Sequence, residues 1–174
     1  KNSEPDVVYN CAAQSAVGSS FDHPSYTSDV TGSGVIRMLE GIKNNNNKIK
    51  FFQASSSEMF GAEKSRVKNE STAFYPISPY AISKVYAYWM TRMYREAYGM
   101  YTVNGILFNH ESPLRGIEYV TRKISNGIAK ISLGLEKDLK LGNTLAERDW
   151  GYAPEYVEGI FCMMEQKKAD DYIL

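Results

Sequence analysis

Short apolar runs alternate with helical periodicities along this chain, and that alternation leaves few folds open to it. Asp6 to Ala13 (DVVYNCAA) is nearly continuous in apolar residues, the pattern of a strand buried on both faces of a parallel sheet. Tyr26 to Lys43 then places Val30, Val35, Met38, Leu39 and Ile42 at helical spacing and ends in the turn-forming run Asn44 to Asn47. Ile49 to Ala54 reads as a second strand, and Ser78 to Tyr98 as a long helix with Pro79 in its first turn and Gly99 just past its end. Tyr101 to Phe108 makes a third strand and Val120 to Leu133 a further helix. Leu139 to Leu141 is expected to be a short strand, Pro154 to Gln166 a last amphipathic helix, and Ile173-Leu174 the start of another strand. The order βαβαβαβα predicts an α/β fold, a doubly wound parallel sheet with helices on its faces and right-handed crossovers.

The totals narrow the function classes. At 174 residues, 43% hydrophobic and 23% charged, the chain has the size and composition of one globular domain. Its 20 basic and 20 acidic residues cancel and are dispersed, so no footprint for nucleic acid or an anionic membrane is expected. Two cysteines in unlike contexts and two histidines, His23 and His110, assemble no metal-ligand spacing. Cys11 in an apolar run and Cys162 on a helical apolar face are expected to be buried, reduced thiols. No apolar run approaches the ~18 residues of a membrane span, and the first residues lack a signal-peptide layout, so a cytoplasmic protein is expected.

Three polar clusters are candidates for chemistry, two of them just past strands, where open α/β sheets place their ligands. In Tyr80-Ala81-Ile82-Ser83-Lys84 the tyrosine and lysine stand four apart, on one face of the predicted helix. A tyrosine titrates near ~10, so service as a base at neutral pH needs a shift of ~3 units, or ~4 kcal/mol, which an adjacent ammonium and a cationic nicotinamide can supply. The same spacing also arises by chance on a solvated helix face. Gln53-Ala54-Ser55-Ser56-Ser57-Glu58 offers hydroxyls to polarise an oxygen and a carboxylate for acid and base work, or equally a serine N-cap with Glu58 in the first turn. Asn109-His110-Glu111-Ser112 is the third cluster, in which His110 reads either as a ligand group or as a satisfied imidazole. Gly32-Ser33-Gly34 lies inside a helical pattern with no strand directly before it, so it is read as a helix-packing feature and not as a phosphate-binding turn.

The runs NCAAQS (Asn10 to Ser15), SFDHPSYTSDV (Ser20 to Val30), QASSSEMFG (Gln53 to Gly61) and FYPISPYAISK (Phe74 to Lys84) resemble those of GDP-mannose 4,6-dehydratases. So do VNGILFNHESPLRG (Val103 to Gly116), VTRKI (Val120 to Ile124) and RDWGYAPEYVE (Arg148 to Glu158), in order and at matching intervals. The resemblance implies a Rossmann-like member of the extended short-chain dehydrogenase/reductases that uses NADP and acts on GDP-mannose. It implies Tyr80 as the base at the sugar 4-hydroxyl, Ser56 as the hydroxyl bonding the 4-oxygen where threonine is common, Glu58 as the acid and base at C5 and C6, and Lys84 as partner of Tyr80. Cys11, Ala12, Ala13, Gln14, Ser15, Tyr26, His110 and Arg115, with Tyr80 and Lys84, match cofactor-contacting positions. Asn109, Lys123 and Arg148 match positions near the GDP portion.

Ala16 stands where the family usually has histidine, and Leu114 where arginine is common. The implied division is a partial NADP-binding domain over residues 1–116 and substrate-binding segments over 117–174, interleaved with the last sheet elements. The glycine-rich βαβ unit that opens such a fold is not seen in this sequence, so a portion of a longer enzyme is expected. Glu58 separates the readings, because a 4-epimerase or 4-keto reductase of the same class needs the Tyr/Lys pair and a hydroxyl but no carboxylate to expel water. A catalytically silent interaction module is the reading from another class. The aromatics Tyr86, Tyr88, Trp89, Tyr94 and Tyr98 on the Tyr80 helix suit core packing and a subunit interface alike, and the resemblance implies a homo-oligomer.

Overall fold

The computed structural model describes residues 3–174. Four parallel strands, β1 (Val7–Asn10), β2 (Lys50–Ser56), β3 (Thr102–Leu107) and β6 (Asp171–Ile173), form one sheet in the order β1-β2-β3-β6. Its register pairs Asn10 with Gln53, Gln53 with Asn104, and Asn104 with Asp171. Two short strands, β4 (Asn109–Glu111) and β5 (Trp150–Tyr152), pair in parallel by themselves.

Six helices accompany the strands: α1 (Val17–Asp22), α2 (Pro24–Thr27), α3 (Gly34–Asn45), α4 (Pro79–Tyr98), α5 (Val120–Ser132) and α6 (Ala153–Met164). A π-helical turn over Ser28–Ser33 joins α2 to α3, so the single helix predicted over Tyr26 to Lys43 is real but widened in its middle. The Gly32 backbone there is buried against α4, where a Cβ would stand 3.2 Å from the Tyr86 ring, in keeping with a helix-packing role.

Alternate residues of β2 feed opposite faces of the sheet. Phe51 joins Val35 and Leu39 of α3 and Ala87 and Tyr94 of α4, while Phe52 joins Val103 with Met163 and Met164 of α6. A third cluster, Met59, Phe60, Tyr88 and Ile106, closes the end of the sheet where β2 and β3 finish. Helix α4 is bounded as its sequence dictates. The Ser78 hydroxyl accepts from the Ala81 N–H at 3.1 Å, Pro79 opens the first turn, and Gly99 takes the left-handed conformation at φ 64° just past the end.

The buried Asp171 carboxylate ties β6 to its neighbours. It accepts from the Tyr88 hydroxyl at 2.9 Å, from the Asn104 amide at 2.9 Å and from the Arg95 guanidinium at 2.6 Å. Burial, then the Asp171 charge, pushes the Tyr88 phenol up to about 12.

The chain divides into two compact units, Lys1–Phe108 with Glu158–Leu174 as the first and Asn109–Val157 as the second. Four expectations need correction. β1 stops at Asn10 and is only half-buried, because it lies at an edge of the described sheet. Cys11, beyond its end, is therefore exposed. Cys162 is exposed too, since α6 turns Met163 and Met164 into the core instead. Leu139 to Leu141 is no strand: it has no partner strand, and its Leu139 side chain packs over Gly127 of α5.

Candidate active site

The first unit brings the predicted catalytic residues to the end of the sheet where β2 finishes and α4 begins. Ser56 is the last residue of β2 and Glu58 sits in a 3-10 turn, Ser57–Met59, that follows directly. The Ser56 hydroxyl accepts from the Glu58 N–H at 3.2 Å, so it does cap that turn. Capping uses an oxygen lone pair and leaves the O–H proton to be donated, so the two readings of this serine coexist. Gly61 closes the loop in the left-handed region at φ 48°, where any Cβ would overlap the Tyr75 carbonyl that accepts from Ala62. Phe74 and Tyr75 are thereby drawn alongside Met59, ahead of the Pro79 entry to α4.

Tyr80 and Lys84 lie one turn apart on α4, both buried, with the Lys84 Nζ 5.8 Å from the Tyr80 ring centre. The ammonium donates to the Ala54 carbonyl at 2.6 Å, which binds α4 to β2 two residues before Ser56. Burial lowers the Lys84 pKa to about 8, and the nearby Cys11 thiol acts weakly in the opposite direction. A base made from Tyr80 would have beside it an ammonium that is costly to bury and still carries donors to spare, since Ala54 takes one of three.

The turn after β1 is held in place by side chains. The Ala12 N–H donates to the Asn10 carboxamide at 3.1 Å, and the Gln14 N–H donates to the Thr31 hydroxyl at 3.1 Å. The Thr27 hydroxyl donates to the Gln14 carboxamide oxygen at 3.2 Å. Cys11, Ala12 and Ser15 are exposed on this turn, Ala13 and Gln14 half-buried, and Tyr26 exposed on α2. These positions share the carboxyl end of the sheet with Lys84, the edge at which open α/β sheets bind ligands. Asn10 and Gln53, both buried and hydrogen-bonded to each other at 2.7 Å, were not singled out as site residues in the sequence. Their signal is a pair of amides facing each other at paired positions of adjacent strands.

The remaining site residues lie in the second unit. His110 of β4 stacks on Tyr156, ring centres 5.0 Å apart. The Arg115 guanidinium lies 3.6 Å over the Tyr119 ring, and its Nε is 3.1 Å from a Glu111 carboxylate oxygen. That approach is poorly angled, so it is an ion contact and not a hydrogen bond. Asn109 pairs with Trp150 across the small sheet. Lys123, with Asn126, Lys130 and Leu139, lines an open cleft of about 740 Å³, while Arg148 is exposed and donates to the Glu147 carbonyl at 2.7 Å. Among the described residues, no cluster of three or more His, Cys, Asp or Glu stands where it could hold a metal ion. No helix among them is long and apolar enough to cross a membrane.

Comparison with known proteins agrees with this architecture. A structure of RMD from Pseudomonas aeruginosa complexed with NADPH superposes with a TM-score of 0.91 over 98% of this chain and 60% of that one, at 24% identity. A UDP-N-acetylglucosamine 4-epimerase from Methanobrevibacter ruminantium does so with a TM-score of 0.87 over 97% of this chain and 54% of that one, at 25% identity. In sequence, GDP-mannose 4,6 dehydratase 1 of Arabidopsis thaliana is 52% identical over 98% of this chain and 48% of its own length. The GDP-mannose 4,6-dehydratase of Vibrio cholerae is 51% identical over 98% and 46%, and that of Cricetulus griseus 49% over 98% and 46%. The chain thus spans about half the length of the curated relatives it matches. The family model described as GDP-mannose 4,6 dehydratase matches residues 1–174, and with relatives this similar the chain belongs to the GDP-mannose 4,6-dehydratase family.

Proposed function

We propose that the protein carrying this chain dehydrates GDP-D-mannose to GDP-4-dehydro-6-deoxy-D-mannose. The observation that carries the reading is Glu58, a carboxylate two residues past the Ser56 hydroxyl, in the loop that follows the strand bonded to Lys84. Dehydratases of this name, about half identical to the chain, support it. Tyr80 takes the proton of the sugar 4-hydroxyl, with the Lys84 ammonium stabilising the phenolate and Ser56 donating to the 4-oxygen. A bound nicotinamide would accept the C4 hydride and later return it to C6, so the sugar undergoes no net oxidation. Glu58 removes the C5 proton, now acidified by the 4-ketone, and gives a proton to the departing C6 hydroxyl, which leaves as water. As the hydride adds to C6, C5 regains a proton, for which the Tyr80 phenol, holding the one taken from the 4-hydroxyl, is the balancing source.

NADP is the cofactor we infer, from the structural neighbour complexed with NADPH. The residues present suit a nicotinamide nucleotide: an exposed turn at the sheet's carboxyl end, Cys11 to Ser15 with Tyr26 nearby, and an ammonium with donors left for ribose hydroxyls. His110 and Arg115 would add cofactor contacts, and Asn109, Lys123 and Arg148 would hold the GDP portion. On this reading the first unit, with Tyr80 and Lys84, is the cofactor-binding and catalytic part, and the second supplies substrate contacts. A homo-oligomer fits the exposed Ile82, Tyr86 and Trp89 on α4, an apolar stripe suited to self-association, and the cytoplasm is the compartment we infer.

The test is incubation of the full-length protein with GDP-mannose and catalytic NADP+, following the sugar by NMR. A 4-keto-6-deoxy product that disappears with Glu58→Gln supports the assignment. An epimerised hexose, or no product from the wild type, overturns it in favour of an epimerase or a silent module.

A further inference from the structure

The backbone around Ala54 contains an interruption that the family role of Lys84 does not explain. The Lys50 N–H donates to the Asp6 carbonyl at 3.0 Å on the β1 side, and the Phe51 N–H donates to the Tyr101 carbonyl at 2.9 Å on the β3 side. Peptide groups alternate in direction along a strand, so Lys50, Phe52 and Ala54 all face β1. Ladder bonds on that side recur every two residues. With Asn10 opposite Gln53, the next rung would carry the Ala12 N–H to the Ala54 carbonyl.

That rung is not made. The Ala12 N–H donates instead to the Asn10 side chain at 3.1 Å, a local turn that takes the chain out of the sheet. The other end of the Asn10 carboxamide donates to the Gln53 Oε1 at 2.7 Å, and the Gln53 Nε2 donates to the Ala54 carbonyl at 3.0 Å. The vacated carbonyl then takes the Lys84 ammonium at 2.6 Å. Both amides are buried, where each costs stability unless satisfied.

We propose that Asn10 and Gln53 act together as a positioning pair that stops β1 one rung early and so reserves the Ala54 carbonyl for the Lys84 ammonium. Asn10 diverts the competing donor, and Gln53 fixes Asn10 while sharing the same carbonyl. The pair also joins the exposed turn bearing Cys11 to the buried base of Lys84, so cofactor-side backbone and ammonium are set by one amide relay. This rests on the reading of Lys84 as a catalytic group.

The experiment has two readouts in the full-length protein: steady-state turnover of GDP-mannose, and the acetylation rate of Lys84 by an N-hydroxysuccinimide ester, measured by peptide mass. Asn10→Ala frees the Ala12 N–H to claim the carbonyl. It is expected to lower kcat about 30-fold with KM nearly unchanged, the scale of a misplaced catalytic group, and to speed Lys84 acetylation about tenfold through loss of one charge-assisted hydrogen bond. Asn10→Ser keeps a side-chain acceptor two residues before Ala12 and should recover most of both. Wild-type acetylation and turnover in Asn10→Ala, or equal losses in Asn10→Ala and Asn10→Ser, overturn the proposal. If acetylation rises while turnover holds, the pair does hold Lys84 and the catalytic reading of Lys84 fails instead. Should Asn10→Ala not fold, Gln53→Met, which leaves the Asn10 turn in place, decides by the same readouts: faster acetylation supports the pair and wild-type values overturn it.

Discussion

The two units of the molecule are built on opposite terms. In the first, three apolar clusters fill both faces of the sheet, and even its polar groups, such as Gln53, Asn104 and Lys84, are buried and bonded. In the second, Gly127 is the one buried residue among those described, while Leu114 and Leu145 are 95% and 89% exposed. Placement of a reacting group tolerates little error, and a packed sheet end provides that precision. Grip on a flexible nucleotide diphosphate needs reach and charge more than rigidity. The proposed chemistry therefore sits in the unit whose polar groups are buried and bonded, and the residues proposed for the GDP portion sit in the one whose side chains are mostly exposed in this chain.

The contrast is sharpest in turnover. Tyr80→Phe and Glu58→Gln should each lower kcat about 10²- to 10⁴-fold, the usual worth of a placed acid or base, with thermal melting barely moved. A comparable loss of stability in either variant would mean that these side chains hold the fold and not the reaction. Next in size comes packing. Leu39→Ala, in the core shared by α3 and α4, should cost about 2–5 kcal/mol in denaturant unfolding, whereas Leu133→Ala, exposed just beyond α5, should stay within about 0.5 kcal/mol. Equal costs would erase the distinction between the units.

Smaller again, Lys123→Ala and Arg148→Ala should raise the KM for GDP-mannose roughly tenfold, about 1.4 kcal/mol each, and leave kcat nearly intact. A fall in kcat alone would move these residues into the chemistry. The smallest effect is on stability and carries a sign. Lys84 has a folded pKa of about 8 against an ordinary 10.5, so the unfolded chain binds more protons between those values and stability rises with pH across that window. Below pH 8 the full cost of burying the ammonium is present. Lys84→Met should remove that rise and stabilise the protein at pH 7 by on the order of 1 kcal/mol, after the lost bond to Ala54 is counted, while abolishing turnover. An unchanged pH slope would mean that burial does not lower the Lys84 pKa and that its ammonium keeps its charge up to the ordinary range.

The sequence foretold the parts that depend on local chemistry. Ser78, Pro79 and Gly99 bracket α4 by capping physics alone, and the apolar runs of β2 and β3 announce buried parallel strands. Where a partner decides, the sequence was silent. β4 and β5 are three residues each, and their pairing joins positions about forty residues apart that carry no strand pattern. The leucines around Leu139 look like a strand until α5 supplies Gly127 for Leu139 to pack on. Cys11 reads as buried because the apolar run continues past Asn10, and only the local turn, in which the Ala12 N–H bonds the Asn10 side chain and not β2, shows where the strand ends. In the same way Tyr80, Lys84, Ser56 and Glu58 were readable as types and spacings, but Asn10 and Gln53 gained meaning only once their strands were paired.

Asp171 has a consequence for the order in which this molecule can be made. Its carboxylate satisfies Asn104, which precedes it by 67 residues, and the strand it opens covers the edge of β3. At synthesis rates of about 5–20 residues per second, roughly 3 to 13 seconds separate the emergence of β3 from that of its last neighbour. Throughout that interval β3 presents an unpaired, apolar edge, the kind of surface on which nascent chains aggregate. The second unit is translated inside the same interval, so the time needed to produce the binding segment is also the time for which the catalytic sheet stands open on the ribosome.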